Sequence, residues 1–175
     1  MTQSALFPHK RHQRGARACT ADNGQLITEI FDETYMPAMM KDANVMMQTW
    51  AAKKYPVIYL TARAHLFRAE TRLWLDNLKF PVGVVITSSS VLTGDEPETY
   101  KAAWLARMVT DFGWSVVAAY GNEDTDIGAY QSVGIPNDRI FIVGPSGGDL
   151  GSVAIPDSDF TSHVAQFVDA QPDND

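Results

Sequence analysis

Three clusters of polar residues each follow directly on a short apolar run, and their types suit phosphoryl chemistry. Thr61 and Arg63 follow Val57–Leu60, Thr87 and three serines follow the run from Gly83, and Asn122, Asp124 and Asp126 follow Ser115–Tyr120. A threonine hydroxyl, the Arg63 guanidinium and the Lys101 ammonium can hold phosphate oxygens through charge-assisted bonds. A carboxylate in the third cluster can hold Mg²⁺, which keeps most of its waters and needs only one or two protein acids. Each residue also has an ordinary structural reading. A helical lysine is commonly solvated, a strand ending in Thr and Arg commonly meets water, and Asp124 or Thr125 could simply cap the next helix. The argument therefore rests on all of them lying at successive strand ends.

The elements that would position them follow from hydrophobic period. Pro37 opens a helix to about Lys54, with Met39, Ala43, Met46, Met47 and Trp50 on one stripe. Short apolar runs at 57–60, 83–87, 115–120 and 139–143 read as strands covered on both faces. Between them, helices are expected from His65 to Leu78, with Leu66, Ala69, Leu73 and Leu78 inward, and from Pro97 to Phe112, with Tyr100, Trp104 and Met108 on one face. A shorter helix through Ile127 and Tyr130 closes at Gly134. Gln25–Phe31 reads as either a short strand or a helix entry, and a last helix is expected over 158–168. Alternating strands and helices predict an α/β fold, a three-layer sandwich with a mainly parallel sheet. Ligands of such sheets sit beyond the carboxyl ends of the strands, where the three clusters fall.

Composition narrows the function classes. The 175 residues are 45 % apolar and carry a net charge of −7, which suits one domain with a full core and argues against nucleic acid as a partner. Basic residues gather early, at Lys10, Arg11, Arg14 and Arg17, and the chain after Arg139 has six acids and no Lys or Arg. Cys19 stands alone, so no internal disulfide can form. No apolar stretch is long enough to span a membrane and no signal-peptide core is present. A cytoplasmic protein is expected, with peripheral membrane association as the alternative.

The strings YLTAR, TYKAAWL, AAYGNEDTDIGAY and GIPNDRIFIVGPSGG resemble the lipin-type domain of the haloacid dehalogenase-like phosphatase superfamily. That domain occurs in phosphatidate phosphatases and in some phosphatidylinositol transfer proteins. The resemblance covers roughly residues 20–148 and implies a Rossmann-like fold and a Mg²⁺-dependent phosphomonoester hydrolase. It implies Thr61 and Lys101 as phosphate-binding groups, joined by Arg63. Asp126 and Asp124 become metal ligands, and Asn122 and Thr87 secondary members of the site. The superfamily's opening D-x-D-G-T, whose first aspartate is the nucleophile, has no counterpart; the nearest string is Thr20-Ala21-Asp22-Asn23-Gly24. Without that aspartate no aspartyl-phosphate can form.

Three expectations follow. The first central strand is missing or replaced, with residues around 12–20 making a poor substitute or leaving a gap. The chain divides into an irregular basic segment (1–19), one domain (20–170) and a frayed tail (171–175). Functionally, it is an impaired phosphatase relative or, alternatively, a non-catalytic module for a phosphate-bearing small molecule or phospholipid head group. A motif encoded upstream of Met1 would restore the enzyme. A receiver-like signalling module fits less well, since no strand ends in a phosphorylatable aspartate.

Overall fold

The computed structural model describes residues 38–174 together with two short strands, β1 (Gln3–Leu6) and β2 (Arg14–Gly15). Gln25–Phe31 and Cys19 lie outside the described residues. The main chain is mixed α/β with parallel strand pairs. β3 (Ile58–Ala64) pairs in parallel with β4 (Val84–Ser88). A second parallel set runs β6 (Ala119–Gly121), β7 (Ile140–Val143) and β8 (Val153–Ile155), while β5 (Ser115–Val116) pairs with β2.

Strict alternation along these strands divides the core into two. Val57, Tyr59, Val85, Tyr120, Phe141 and Val143 face one apolar cluster, and Ile58, Leu60, Ile86, Ala119, Ile140 and Ile142 face the other. Burial on both faces is what continuous apolar strand sequences encode. The first cluster is covered by α1 (Ala43–Ala52), α2 (Arg68–Asn77) and the C-terminal helical segment, α5 (Thr161–His163) with its wider continuation Val164–Val168. The second is covered by α3 (Glu96–Ala106) and α4 (Asp124–Gln131).

α1 and α2 end identically. Tyr55 N–H donates to Trp50 O and Phe80 N–H to Leu75 O, while Lys54 and Lys79 take φ of 63° and 62°. Each is a Schellman stop with lysine where glycine is usual. Pro56 and Pro81 then turn the chain toward β3 and β4. Both helices thus deliver their strands to the same side of the sheet.

Several sequence expectations need correction. The α1 stripe holds from Ala43 on, with Ala43, Met46, Met47 and Trp50 buried, but the helix begins at Ala43, so Met39 precedes it instead of opening the stripe. On α2 the face is rotated: Thr71, Trp74 and Leu75 are buried, whereas Leu66, Ala69 and Leu73 point outward. His65–Phe67 forms a 3₁₀ turn rather than the first α-turn, which shifts the register, and Trp74 takes the core position stacked 5.4 Å from Phe80. On α3 the fully buried line is Lys101 and Leu105, continued by Met108 in the wider turn Arg107–Asp111, with Tyr100 and Trp104 on its flank. β8 was not expected at all. Its Val153 and Ala154 are exposed, which leaves a weak apolar signal.

The N-terminal expectation changes most. The strand against β3 is Gln3–Leu6, and it runs antiparallel, with Gln3 opposite Thr61 and Leu6 opposite Ile58, while within the expected stretch Arg14–Gly15 makes only a two-residue strand against β5. Gln3–Leu6 lies on the side of β3 away from β4 and beside β6. Satisfying the β3 backbone matters because each unpaired buried amide or carbonyl costs about 1–3 kcal/mol. Residues expected to fray at the other end are tied down: Tyr55 Oη donates to Pro172 O (2.8 Å) and Asn174 N–H to Lys53 O (2.8 Å).

Candidate functional site

The third polar cluster folds around one carboxylate. Gly121 ends β6, and the chain turns at once into α4, whose N-cap is Glu123 rather than Asp124 or Thr125. Glu123 and Asp126 form a reciprocal capping box, each side chain accepting from the other's backbone N–H. Asp126 can fold back only because Gly121 lacks a side chain. A Cβ there would stand 2.6 Å from Asp126 Cβ. The G-N-x-x-x-D spacing is therefore a packing requirement as well as a motif.

Lys101 reaches Asp126 from α3. Its Nζ lies 2.6 Å from Oδ1, and the two side chains are 1 % and 0 % exposed. Tyr130, one turn along α4, places its hydroxyl 3.2 Å from the same Oδ1 and 3.0 Å from Tyr120 O. The Asn122 and Glu123 amides approach Oδ2 at 3.1 and 3.4 Å. A carboxylate offers about four lone-pair positions. Among the described residues, one ammonium, one phenol and two backbone amides already approach them.

The remaining candidates sit around the ends of β3 and β4. Thr61 is buried, and its Oγ1 accepts the Arg63 amide (3.2 Å). Ser88 Oγ accepts the Ser90 amide in the same way (3.2 Å), so one hydroxyl staples the irregular stretch of β3 after Leu60 and another the turn after β4. The Arg63 guanidinium lies over the Phe67 ring (4.9 Å) and donates to Thr71 Oγ1 (3.4 Å). Burial pushes its pKa down to about 10, with Glu70 opposing the shift, so it stays cationic at neutral pH. Thr87 pairs with His65 Nδ1, which links the end of β4 to the turn after β3.

Lys101 and Asp126 thus meet, while the Arg63 side chain goes to α2 on the opposite face of the sheet. Asn122 is spent locally, donating to Glu123 Oε1 (2.8 Å), and Asp124 is exposed, accepting the Thr125 amide (2.7 Å). Asp124 and Asp126 as placed do not fit Mg²⁺. Asp126 has no acceptor position to give, and among the described residues no group of three His, Cys, Asp or Glu is arranged to hold a metal. Sequence reading missed Glu123 and Tyr130 as members of the site and took His65 for a surface or capping residue. The first two had signals, since Glu123 stands three before Asp126 and Tyr130 four after it, the spacings of a capping box and a helix neighbour.

A family model described as "PITM 1-3, LNS2 domain" matches residues 23–144. Protein retinal degeneration B of Drosophila melanogaster is 34 % identical over 130 residues, which cover 74 % of this chain and 10 % of that protein. Membrane-associated phosphatidylinositol transfer protein 3 of Mus musculus is 29 % identical over 110 residues, 63 % of this chain and 11 % of the relative. Phosphatidate phosphatase PAH1 of Arabidopsis thaliana is 34 % identical over 135 residues, 65 % of this chain and 15 % of the relative. The matched stretches span only 10 % to 15 % of the length of these relatives.

Proposed function

The chain belongs to the LNS2 domain family, and from that premise we propose that it recognises a phosphate-bearing phospholipid head group without hydrolysing it. The observation that carries this reading is the closure of Lys101 on Asp126 inside the protein. The two charges that phosphoryl transfer would need are committed to each other, and the acid has no free acceptor position for a metal. The strand beside β3 supports the same reading, because Gln-Ser-Ala-Leu offers no carboxylate to attack phosphorus. In this view the sheet is a haloacid dehalogenase-like sheet whose first strand has been replaced by Gln3–Leu6.

This reading assigns Thr61 and Arg63, on β3, as the groups that meet the phosphate, exchanging present contacts for it. A guanidinium partly withdrawn from water loses little further solvation on binding an anion, and its flat fork matches two phosphate oxygens. The relatives' names, phosphatidylinositol transfer protein and phosphatidate phosphatase, point to lipids whose head groups carry such a phosphate. No helix among the described residues is long and apolar enough to cross a membrane, which suits a cytoplasmic domain acting peripherally.

The test is calorimetric titration of short-chain, monomeric phosphatidate into the full chain. Binding is expected to be unchanged by EDTA and weakened about tenfold or more in Arg63→Ala. The competing reading, a hydrolase, draws on the phosphatidate phosphatase relatives. Release of inorganic phosphate from phosphatidate at a rate that rises with enzyme and Mg²⁺ would establish it and overturn the binding proposal.

A further inference from the structure

The end of α3 carries a group of side chains that neither the core nor the site uses. The helix runs on into the wider turn Arg107–Asp111, and the chain then passes through Phe112 to Trp114. The Arg107 guanidinium lies 5.6 Å from the ring centre of Trp104 and 5.6 Å from that of Phe112, and Phe112 is 5.4 Å from Trp114. The two tryptophans are half-buried, whereas Arg107 and Asp111 are exposed and Phe112 is 49 % exposed. Tryptophan, phenylalanine and arginine are the residue types that protein interfaces concentrate at their centres.

The arginine says what the surface would meet. Stacking on rings occupies the face of a guanidinium and leaves its in-plane N–H donors available. Among the described residues those donors reach no carboxylate, although Asp111 stands one turn further along the same stretch. Acids are not scarce here, since residues 81–175 carry fourteen against three Lys and Arg. Of those three cations, Lys101 is sealed on Asp126 and Arg139 stands 4.0 Å from Asp138. Arg107 is held ready for an acid that its own chain does not bring to it.

A second copy brings one. When two α3 ends pack antiparallel about a two-fold axis with Arg107 opposite Asp111, the partner's Arg107 faces Asp111 in return. One pair used twice is the self-complementarity that a closed dimer requires. In the same register Ala106, also exposed, stands opposite Phe112, and its methyl leaves room for the ring. We propose that the chain associates as a two-fold dimer through the end of α3, with Arg107 of each copy bound to Asp111 of the other. Trp104, Phe112 and Trp114 close around the pair and keep water from it. Arg63 lies with α2 on the other face of the sheet, so this contact leaves it uncovered and is independent of the head-group reading.

One helix end per copy covers less than the roughly 1,200 Å² of a standard interface, so the dimer is expected to be weak, with Kd on the order of 10 μM. The experiment is sedimentation equilibrium of the full chain over a range of concentrations. It compares wild type, Arg107→Asp, Asp111→Arg and the exchange Arg107→Asp/Asp111→Arg. Both positions are exposed, so all variants should melt like wild type, and melting curves are recorded beside each run. Either single variant sets like charges against each other and is expected to weaken association about tenfold or more, while the exchange restores it. A wild-type monomer at every concentration up to about 1 mM overturns the proposal and leaves the face to a partner of another kind. Association that the single variants leave at wild-type strength, that the exchange does not recover, or that grows past two copies also overturns it.

Discussion

The pocket around Asp126 and the rim beyond β3 and β4 are built from the same kinds of residue, yet they behave oppositely. At Asp126 a lysine, a carboxylate and a tyrosine are sealed, with every acceptor used. At the rim an arginine and a histidine are only partly covered beside buried threonine hydroxyls, with apolar tips in solvent near them. A charged residue's identity therefore does not say whether it serves folding or ligand. Its neighbours do, because an ammonium that neutralises a buried acid cannot also neutralise an incoming phosphate.

That contrast can be tested by substitution, beginning with the largest effect. Lys101→Ala should lower stability by about 3–5 kcal/mol, since Asp126 would stay buried and unpaired. Lys101→Met with Asp126→Asn should recover much of the loss, and urea denaturation of the single and double variants measures both. If Lys101→Ala left the midpoint unchanged, Lys101 would belong with the rim.

The sealed part of the protein also contains His163. Its Nε2 lies 2.8 Å from the Tyr120 hydroxyl, and its ring stacks on Phe167 among Phe141 and Phe160. Burial pushes its pKa down to about 4. Above pH ~6.5 the ring is neutral in both folded and unfolded chains and has no effect on the pH dependence. Between there and about 4 the unfolded chain binds the proton first, so stability should fall with falling pH, by on the order of 3 kcal/mol in total. His163→Phe should flatten that part of the stability–pH curve measured by chemical denaturation.

Smaller effects mark the boundary between the two regions. Gly121→Ala should cost about 1–3 kcal/mol, because the new methyl would displace Asp126. Arg63→Ala should change stability by less than about 1 kcal/mol while weakening phosphatidate binding, the reverse of Lys101→Ala. A large drop in melting temperature for Arg63→Ala would move the rim into the sealed class.

Much of this architecture was legible in the residues alone. The alternating strands and helices, the α1 stripe and the polar strand ends follow from periodicity and chain punctuation, which are local properties. G-N-x-x-x-D and the surrounding strings were enough to identify the family, since they preserve a turn that only glycine permits. Local pattern could not rotate α2, because a 3₁₀ turn at His65–Phe67 shifts the helical phase without changing composition. Nor could it find β1, because Gln-Ser-Ala-Leu has no strand signature and becomes one only against the unpaired backbone of β3.

The sequence by itself determined which charges and hydroxyls stand at which strand ends. Only the tertiary structure decided their fate: it drew Lys101 through the α3–α4 layer to Asp126 and sent Arg63 to the opposite face. Pairing of charges depends on distances across the fold and on how much water remains between them, and neither is written along the chain.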